Sequence, residues 1–181
     1  MAGTIVQVSV GAGGVPKLPV REIRLSYGRV VGDDWSWSMY KMQGNGEPGG
    51  HGGPERAVCL FSLESLDDLK QLDYQVFPGA LGENITTRDL DYADVRIGDR
   101  FQIGSEGAGP IILITRPRQP CKTIGTAYRS SRDPGGLVAR LWDKEMKDNN
   151  PISVKWGKSG FYAAILREGI VCPSDVICKV S

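Results

Sequence analysis

The chain has 181 residues, about one domain by length, and 22 basic side chains stand against 21 acidic ones. That balance excludes a protein living on nucleic-acid phosphates, which would be far more basic. Its 24 glycines, roughly twice ordinary usage, join 11 prolines to exclude a helix bundle or long coiled coil and favour short strands with tight turns.

Met1-Ala-Gly-Thr opens into alternating apolar and polar residues, with no basic segment followed by an apolar run. No stretch approaches the roughly 18 apolar residues of a membrane span. The expectation is a cytoplasmic protein that engages no membrane and no nucleic-acid polymer. Cys59, Cys121, Cys172 and Cys178 are then expected to be free thiols.

Residues 4–10 alternate and predict a strand. Leu18 to Val31 holds further β-like residues, and Gly32 to Pro54 is the most irregular part of the chain, with His51 among glycines. A loop this long is uncommon in a compact domain and is often functional. Residues 57–61 form an apolar run suited to a buried strand. Leu63, Leu66, Leu69 and Leu72 then mark a helical stripe over 62–72, with Ser65 and Asp68 as a local capping pattern. A Gly/Pro-rich loop covers 76–84; short β segments follow, and residues 111–115 are the strongest strand. Asp133-Pro134 predicts a helix start, with Leu137, Val138, Leu141, Trp142 and Met146 facing the core and Asn149-Asn150-Pro151 stopping it. Strands are expected over 152–156 and 161–166, with 171–180 closing the chain. The fold class is mainly β with two or more helices, in a single domain over 1–181.

Cys121 carries the chemistry. It lies in Thr115-Arg-Pro-Arg-Gln-Pro-Cys-Lys-Thr123, where Pro117 and Pro120 force the backbone out of the sheet. Arg116, Arg118 and Lys122 surround it with positive charge, which favours thiolate, the form that acts as nucleophile and metal ligand. The other three cysteines sit among apolar residues and read as small hydrophobes. Cys121, His51 and Asn84 supply the residue types of a cofactor-free cysteine hydrolase. Cysteine spacing excludes a usual zinc site, and no phosphate-binding loop motif is present.

Six segments resemble the MOSC family, named for the C-terminal domain of molybdenum-cofactor sulfurase. They are Gly14-Val-Pro-Lys17, His51-Gly-Gly-Pro-Glu-Arg-Ala-Val58, Phe77-Pro-Gly-Ala-Leu-Gly-Glu-Asn-Ile-Thr86, Ile97-Gly-Asp-Arg-Phe-Gln-Ile-Gly104, Thr115-Arg-Pro-Arg-Gln-Pro-Cys121 and Ser159-Gly-Phe-Tyr-Ala-Ala-Ile-Leu-Arg-Glu-Gly169. They stand in the family's order over about 14–169, closest to its small stand-alone bacterial members. The resemblance implies a β-barrel-like fold and a molybdenum cofactor (molybdopterin) with Cys121 as metal ligand. It also implies reduction of N-hydroxylated bases with electrons from a separate flavin or iron–sulfur protein. Asn84 matches the cofactor-site asparagine, whereas Gly82 replaces an arginine of the eukaryotic branch, so that contact is not carried over. A sulfur or cofactor carrier, served by a cysteine desulfurase, is the alternative. Lys17, His51, Arg56 and Arg116 are candidate donors to the cofactor phosphate, with Thr86 and Thr87 as hydroxyl donors. The glycines between 44 and 82 are expected to line one pocket with the Cys121 loop.

Overall fold

The computed structural model describes residues 1–11, 14–33, 52–105 and 107–181; His51 and glycines 44–50 lie outside them. The amino-terminal strand β1 (Ala2–Val10) is paired on both edges. One edge meets β6 (Ile85–Arg88), and the other meets β11 (Val176–Val180) near its start and the short β2 (Leu18–Val20) near its end. From β11 the ladder runs through β7 (Arg100–Ile103), β8 (Ile111–Pro117), β9 (Phe161–Arg167) and β5 (Val58–Ser62) back to β6. The β1–β11 pairing thus closes seven strands into a barrel, which removes the exposed edges an open sheet would present. A small sheet of β10 (Gly169–Val171), β3 (Ile23–Ser26) and β4 (Arg29–Val30) packs beside it.

Strand alternation separates two cores. Val58 and Leu60 of β5, Ile112 and Ile114 of β8, and Phe161 and Ala163 of β9 fill the barrel. Phe61 points the other way, into a second cluster with Leu66, Leu69, Tyr74, Ile124 and Leu137. That cluster lies under three short helices among the described residues, α1 (Leu63–Gln71), α2 (Lys122–Ala127) and α3 (Gly136–Leu141), while α4 (Lys144–Lys147) sends Met146 into the barrel core. All five residues of β5 are buried because both its faces are covered, as the apolar run predicts.

Four local readings are corrected. The cap of α1 is Ser62, whose Oγ accepts from the Ser65 backbone N–H, rather than a Ser65–Asp68 pattern. Residues 122–127 form a helix that the sequence reading left in the cysteine loop. The expected helix from Pro134 begins only at Gly136, whose φ of +77° prevents a right-handed helix running through from the proline. It then breaks at Trp142, because the Asp143 carboxylate accepts from the Met146 N–H and caps α4. The expected strand over 152–156 is a run of turns. Ile152 and Val154 are 80% and 85% exposed, while the Trp156 indole N–H donates to the Val95 carbonyl (2.7 Å) and its ring packs edge-on against Phe161.

Asp133, freed from the capping role expected of it, joins the helical layer together. Its Oδ2 accepts from Tyr74 Oη and Arg140 Nε, both at 3.1 Å. The Arg140 hydrogen bond first, then that of Tyr74, holds its carboxyl below the usual carboxylate range against the opposing effect of burial. A depressed folded value contributes stability above the unfolded value of about 3.9 and loses it as pH falls through the folded one. We therefore expect Asp133→Asn to lower the thermal midpoint at pH 7, and the gap to wild type to close as melts are repeated below about pH 4.

Candidate functional site

The site is built on the outer face of the barrel, where three strands place side chains in a row. Cys59 on β5 pairs with Tyr162 on β9, and Tyr162 pairs with Arg116 on β8. Period-two alternation would send Arg116 inward with Ile112 and Ile114. A register shift between Ile114 and Arg116 inserts Thr115 as an extra residue and turns Arg116 to the side of Tyr162. The Thr115 hydroxyl lies within hydrogen-bonding distance of the Tyr162 carbonyl (3.0 Å) and the Glu55 carbonyl (2.5 Å). It thereby anchors the single 3-10 turn Pro54–Arg56, which carries Arg56 to the same face. Pro117 ends the ladder opposite Phe161, and the Arg118 N–H makes a last bond to the Gly160 carbonyl (2.9 Å). The chain then leaves the sheet, and Cys121 sits at the mouth of α2, half-buried, packed on the helical core.

The opposite wall is the crossover between β5 and β6. Gly79 (φ +91°) passes so close to the chain that a Cβ there would lie 2.4 Å from the Lys17 carbonyl, and its own carbonyl accepts from the Lys17 N–H. Buried Glu83 holds the loop by accepting from the Gly79 N–H (2.7 Å), the Leu81 N–H (3.2 Å) and Thr86 Oγ1 (3.2 Å). Asn84 accepts from the Cys59 N–H (3.1 Å) and donates to the Ser9 carbonyl (3.2 Å) and Asp33 Oδ2 (2.7 Å). The same Asp33 oxygen pairs with Lys17 Nζ.

Between these walls lie two joined lobes. The first, about 260 Å³, is lined by Gly14, Lys17, Cys59, Gly82, Asn84 and Arg118. The second, about 220 Å³, is lined by Arg116, Trp142, Lys147 and Asn149. Arg56, Gln119, Cys121 and Tyr162 line both, so the thiol stands at the seam. Arg118 is 6% exposed; its Nη2 donates to the Leu81 carbonyl, and its Nη1 is buried with no acceptor among the described residues. Leaving a buried donor unmet costs about 1–3 kcal/mol, more for a charged group, so the first lobe is poised for an anionic or carbonyl oxygen. Burial pushes the Cys59 thiol up to about 11, with Arg118 and then Lys17 pulling the other way, so it stays protonated. Burial also raises the Tyr162 phenol and, reinforced by neighbouring Arg116, depresses Arg56.

Of the residues singled out from the sequence, Cys121, Lys17, Arg56, Asn84 and Arg116 come together here. Asn84 serves as a tether, its amide committed to three protein groups. Thr86 is buried on Glu83 and lines neither lobe, and the Thr87 hydroxyl donates to Tyr92 Oη. His51 lies outside the described residues. Sequence reasoning treated Arg118 only as a charged neighbour and Cys59 as a core hydrophobe, and it passed over Tyr162 and Lys147. The proline on either side of Arg118 was the one available signal that its side chain leaves the sheet plane.

A closed barrel bearing a half-buried cysteine at a cation-lined seam defines the class of the protein. The MOSC domain model matches residues 48–178, and the chain belongs to that family. It is 26% identical over 180 residues to a protein named reductase from Gibberella moniliformis, covering 88% of this chain but 28% of that one. It is 29% identical to YflK of Bacillus subtilis and 26% identical to YiiM of Escherichia coli, spanning 47% and 53% of their lengths. Among solved structures, the YUAD protein of B. subtilis superposes with a TM-score of 0.67 at 16% identity, covering 98% of this chain and 94% of that one. YiiM from Geobacillus stearothermophilus does so with 0.61 at 23%, covering 99% and 75%; these likenesses show the fold alone.

The two cavity thiols are expected to differ in reactivity. At pH 8 a thiol near 11 is only about 0.1% thiolate. Iodoacetamide labelling followed by peptide mapping should modify half-buried Cys121 before buried Cys59, and raising the pH toward 11 should speed the labelling of Cys59 by about 100-fold or more.

Proposed function

We propose that this chain binds the molybdenum cofactor and reduces N-hydroxylated bases or related compounds, with Cys121 as the protein's metal ligand. The observation that carries this is the first lobe. A reachable soft sulfur stands beside a buried guanidinium with an unmet donor, within walls that glycines keep open. The residues present fit the group. A soft thiolate suits molybdenum, and cationic and N–H donors suit a phosphate. A Cβ at Gly82 would lie 3.1 Å from Val15 and 3.8 Å from Arg118 Nη2, narrowing the space in front of the guanidinium. The distant relative named reductase supports the direction of the chemistry.

When bound, the cofactor supplies an oxygen-accepting redox centre. In the overall reaction the N–O bond of the hydroxylamine breaks, and two electrons and two protons yield the amine and water. The electrons come from a separate flavin or iron–sulfur protein. The protein's own contribution is positional. Cys121 holds the metal at the seam, and Arg118 and Lys17 compensate negative charge in the first lobe. Lys17 is kept in place by Asp33, and Asp33 by Asn84. Tyr162, a phenol that burial keeps protonated, stands at the seam as a hydrogen-bond donor. The hydrolase reading gains nothing, because the Asn84 amide is occupied by Ser9, Asp33 and Cys59 rather than held ready for a histidine.

The test is expression in a host that makes the cofactor, followed by metal analysis. Wild type should carry close to one molybdenum per chain, and Cys121→Ala less than about a tenth of that. Arg118→Ala should lose metal and pterin together by about 10-fold or more while retaining its circular-dichroism spectrum, as loss of a supporting partner does. Loaded wild type with a chemical reductant should convert an N-hydroxylated purine to the amine. A metal-free wild type bearing a persulfide on Cys121 would overturn the reading in favour of a sulfur carrier.

A further inference from the structure

The second lobe differs chemically from the first. Among the described residues its charged lining is cationic: Arg56, Arg116 and Lys147. The Nε of Arg116 is buried with no acceptor among the described residues. Among the described residues the guanidinium's ion-pair partner is Glu55, which stands 3.8 Å from Nη2 and is itself 77% exposed, so it neutralises little of that charge. The Arg116 guanidinium and the Lys147 ammonium line one small cavity, and a multiply charged anion would be attracted to both. The same cavity carries two aromatic side chains, Trp142 and Tyr162, and the amide of Asn149. Aromatic faces stack on heterocycles, and an amide reads a base edge.

An uncharged base would use the aromatic part of this lobe and make no use of Arg116 and Lys147. An inorganic anion would do the reverse. Resting on the reading of the preceding subsection, we propose that the substrate held in the second lobe is an N-hydroxylated nucleotide. Its base stacks on Trp142 toward the seam at Cys121, and its phosphate is taken by Arg116 and Lys147. The chain then acts on the phosphorylated nucleotide in preference to the free base. The reaction that supplies its substrate is N-hydroxylation of a nucleotide base, or phosphoribosylation of an already N-hydroxylated base.

The probes are adenine, adenosine and adenosine 5′-monophosphate, which share the base and cannot be reduced. Their binding to the purified loaded protein is followed by calorimetry and by quenching of tryptophan fluorescence. The monophosphate should bind at least about 10-fold more tightly than adenine or adenosine, and the advantage should shrink as salt rises. Lys147→Glu changes an exposed residue and should remove most of that advantage. Arg116→Ala should do the same while keeping its molybdenum. Reduction of the N-hydroxylated forms should show the same preference in kcat/KM.

Equal affinity for adenine and its monophosphate would overturn the proposal, even with reduction of the free base intact and the broader reading standing. Loss of molybdenum in Arg116→Ala, with the monophosphate preference retained, would also overturn it by returning Arg116 to the cofactor. If wild type holds no molybdenum yet prefers the monophosphate, the redox reading fails and the nucleotide assignment stands.

Discussion

One strand pair in the barrel constrains the rest of the molecule. β5 and β6 are neighbours and parallel, whereas the other pairings are antiparallel. A hairpin cannot join parallel neighbours, so the chain must leave the end of β5 and return outside the barrel to start β6. Residues 63–84 make that journey. Its first half is α1, which covers the outer face of β5 and begins the second core. Its second half is the glycine-rich loop that Glu83 and Asn84 pin to the barrel. The first lobe is the gap between this crossover and the strands it passes over, so the parallel pair among the described strands and that part of the candidate site occupy the same place.

The second device is the irregularity in β8. Without the extra residue at Thr115, Arg116 would follow Ile112 and Ile114 into an apolar barrel, where an unpaired guanidinium costs far more than its side chain can recover. The bulge puts the charge on the cavity side and positions Thr115 to tie down the Arg56 turn. The two lobes then divide the charge differently. In the first, Lys17 is answered by Asp33 and Arg118 is half-answered by a carbonyl; in the second, Arg116 and Lys147 join Arg56 in the lining, and Arg116 has only exposed Glu55 as an ion-pair partner among the described residues. Among the described residues no helix is long and apolar enough to cross a membrane, and all of this chemistry faces a cavity that opens to solvent.

Much of the strand pattern was legible because burial on one or both faces leaves a period that local reading detects: 4–10, 111–115 and 161–166 fall within strands, and 57–61 departs from one only at Ala57. The errors share a cause. Ile152 and Val154 alternate like a strand, yet Trp156 anchors the segment through its indole and leaves both exposed. The helix from Pro134 looked continuous because its apolar spacing carries on through Met146, but Gly136 and Asp143 divide it by local backbone and capping effects. At the site, Cys121 was legible from its prolines and cations. Cys59 was not, because a residue inside an apolar run gives no sign of which face of the strand it will use.

The sequence by itself determined the class. Its glycine and proline content and the order of its six motif segments were enough for a barrel of this family. Only the tertiary structure decided which of the chain's many cations matter. Arg118 and Lys147 carry the same formal charge as any surface arginine or lysine. What distinguishes them is burial with one guanidinium nitrogen unmet among the described residues in one case and a place in a lobe lined by cations in the other. Both properties depend on which strands and loops come to lie opposite one another in space, and local composition does not encode that.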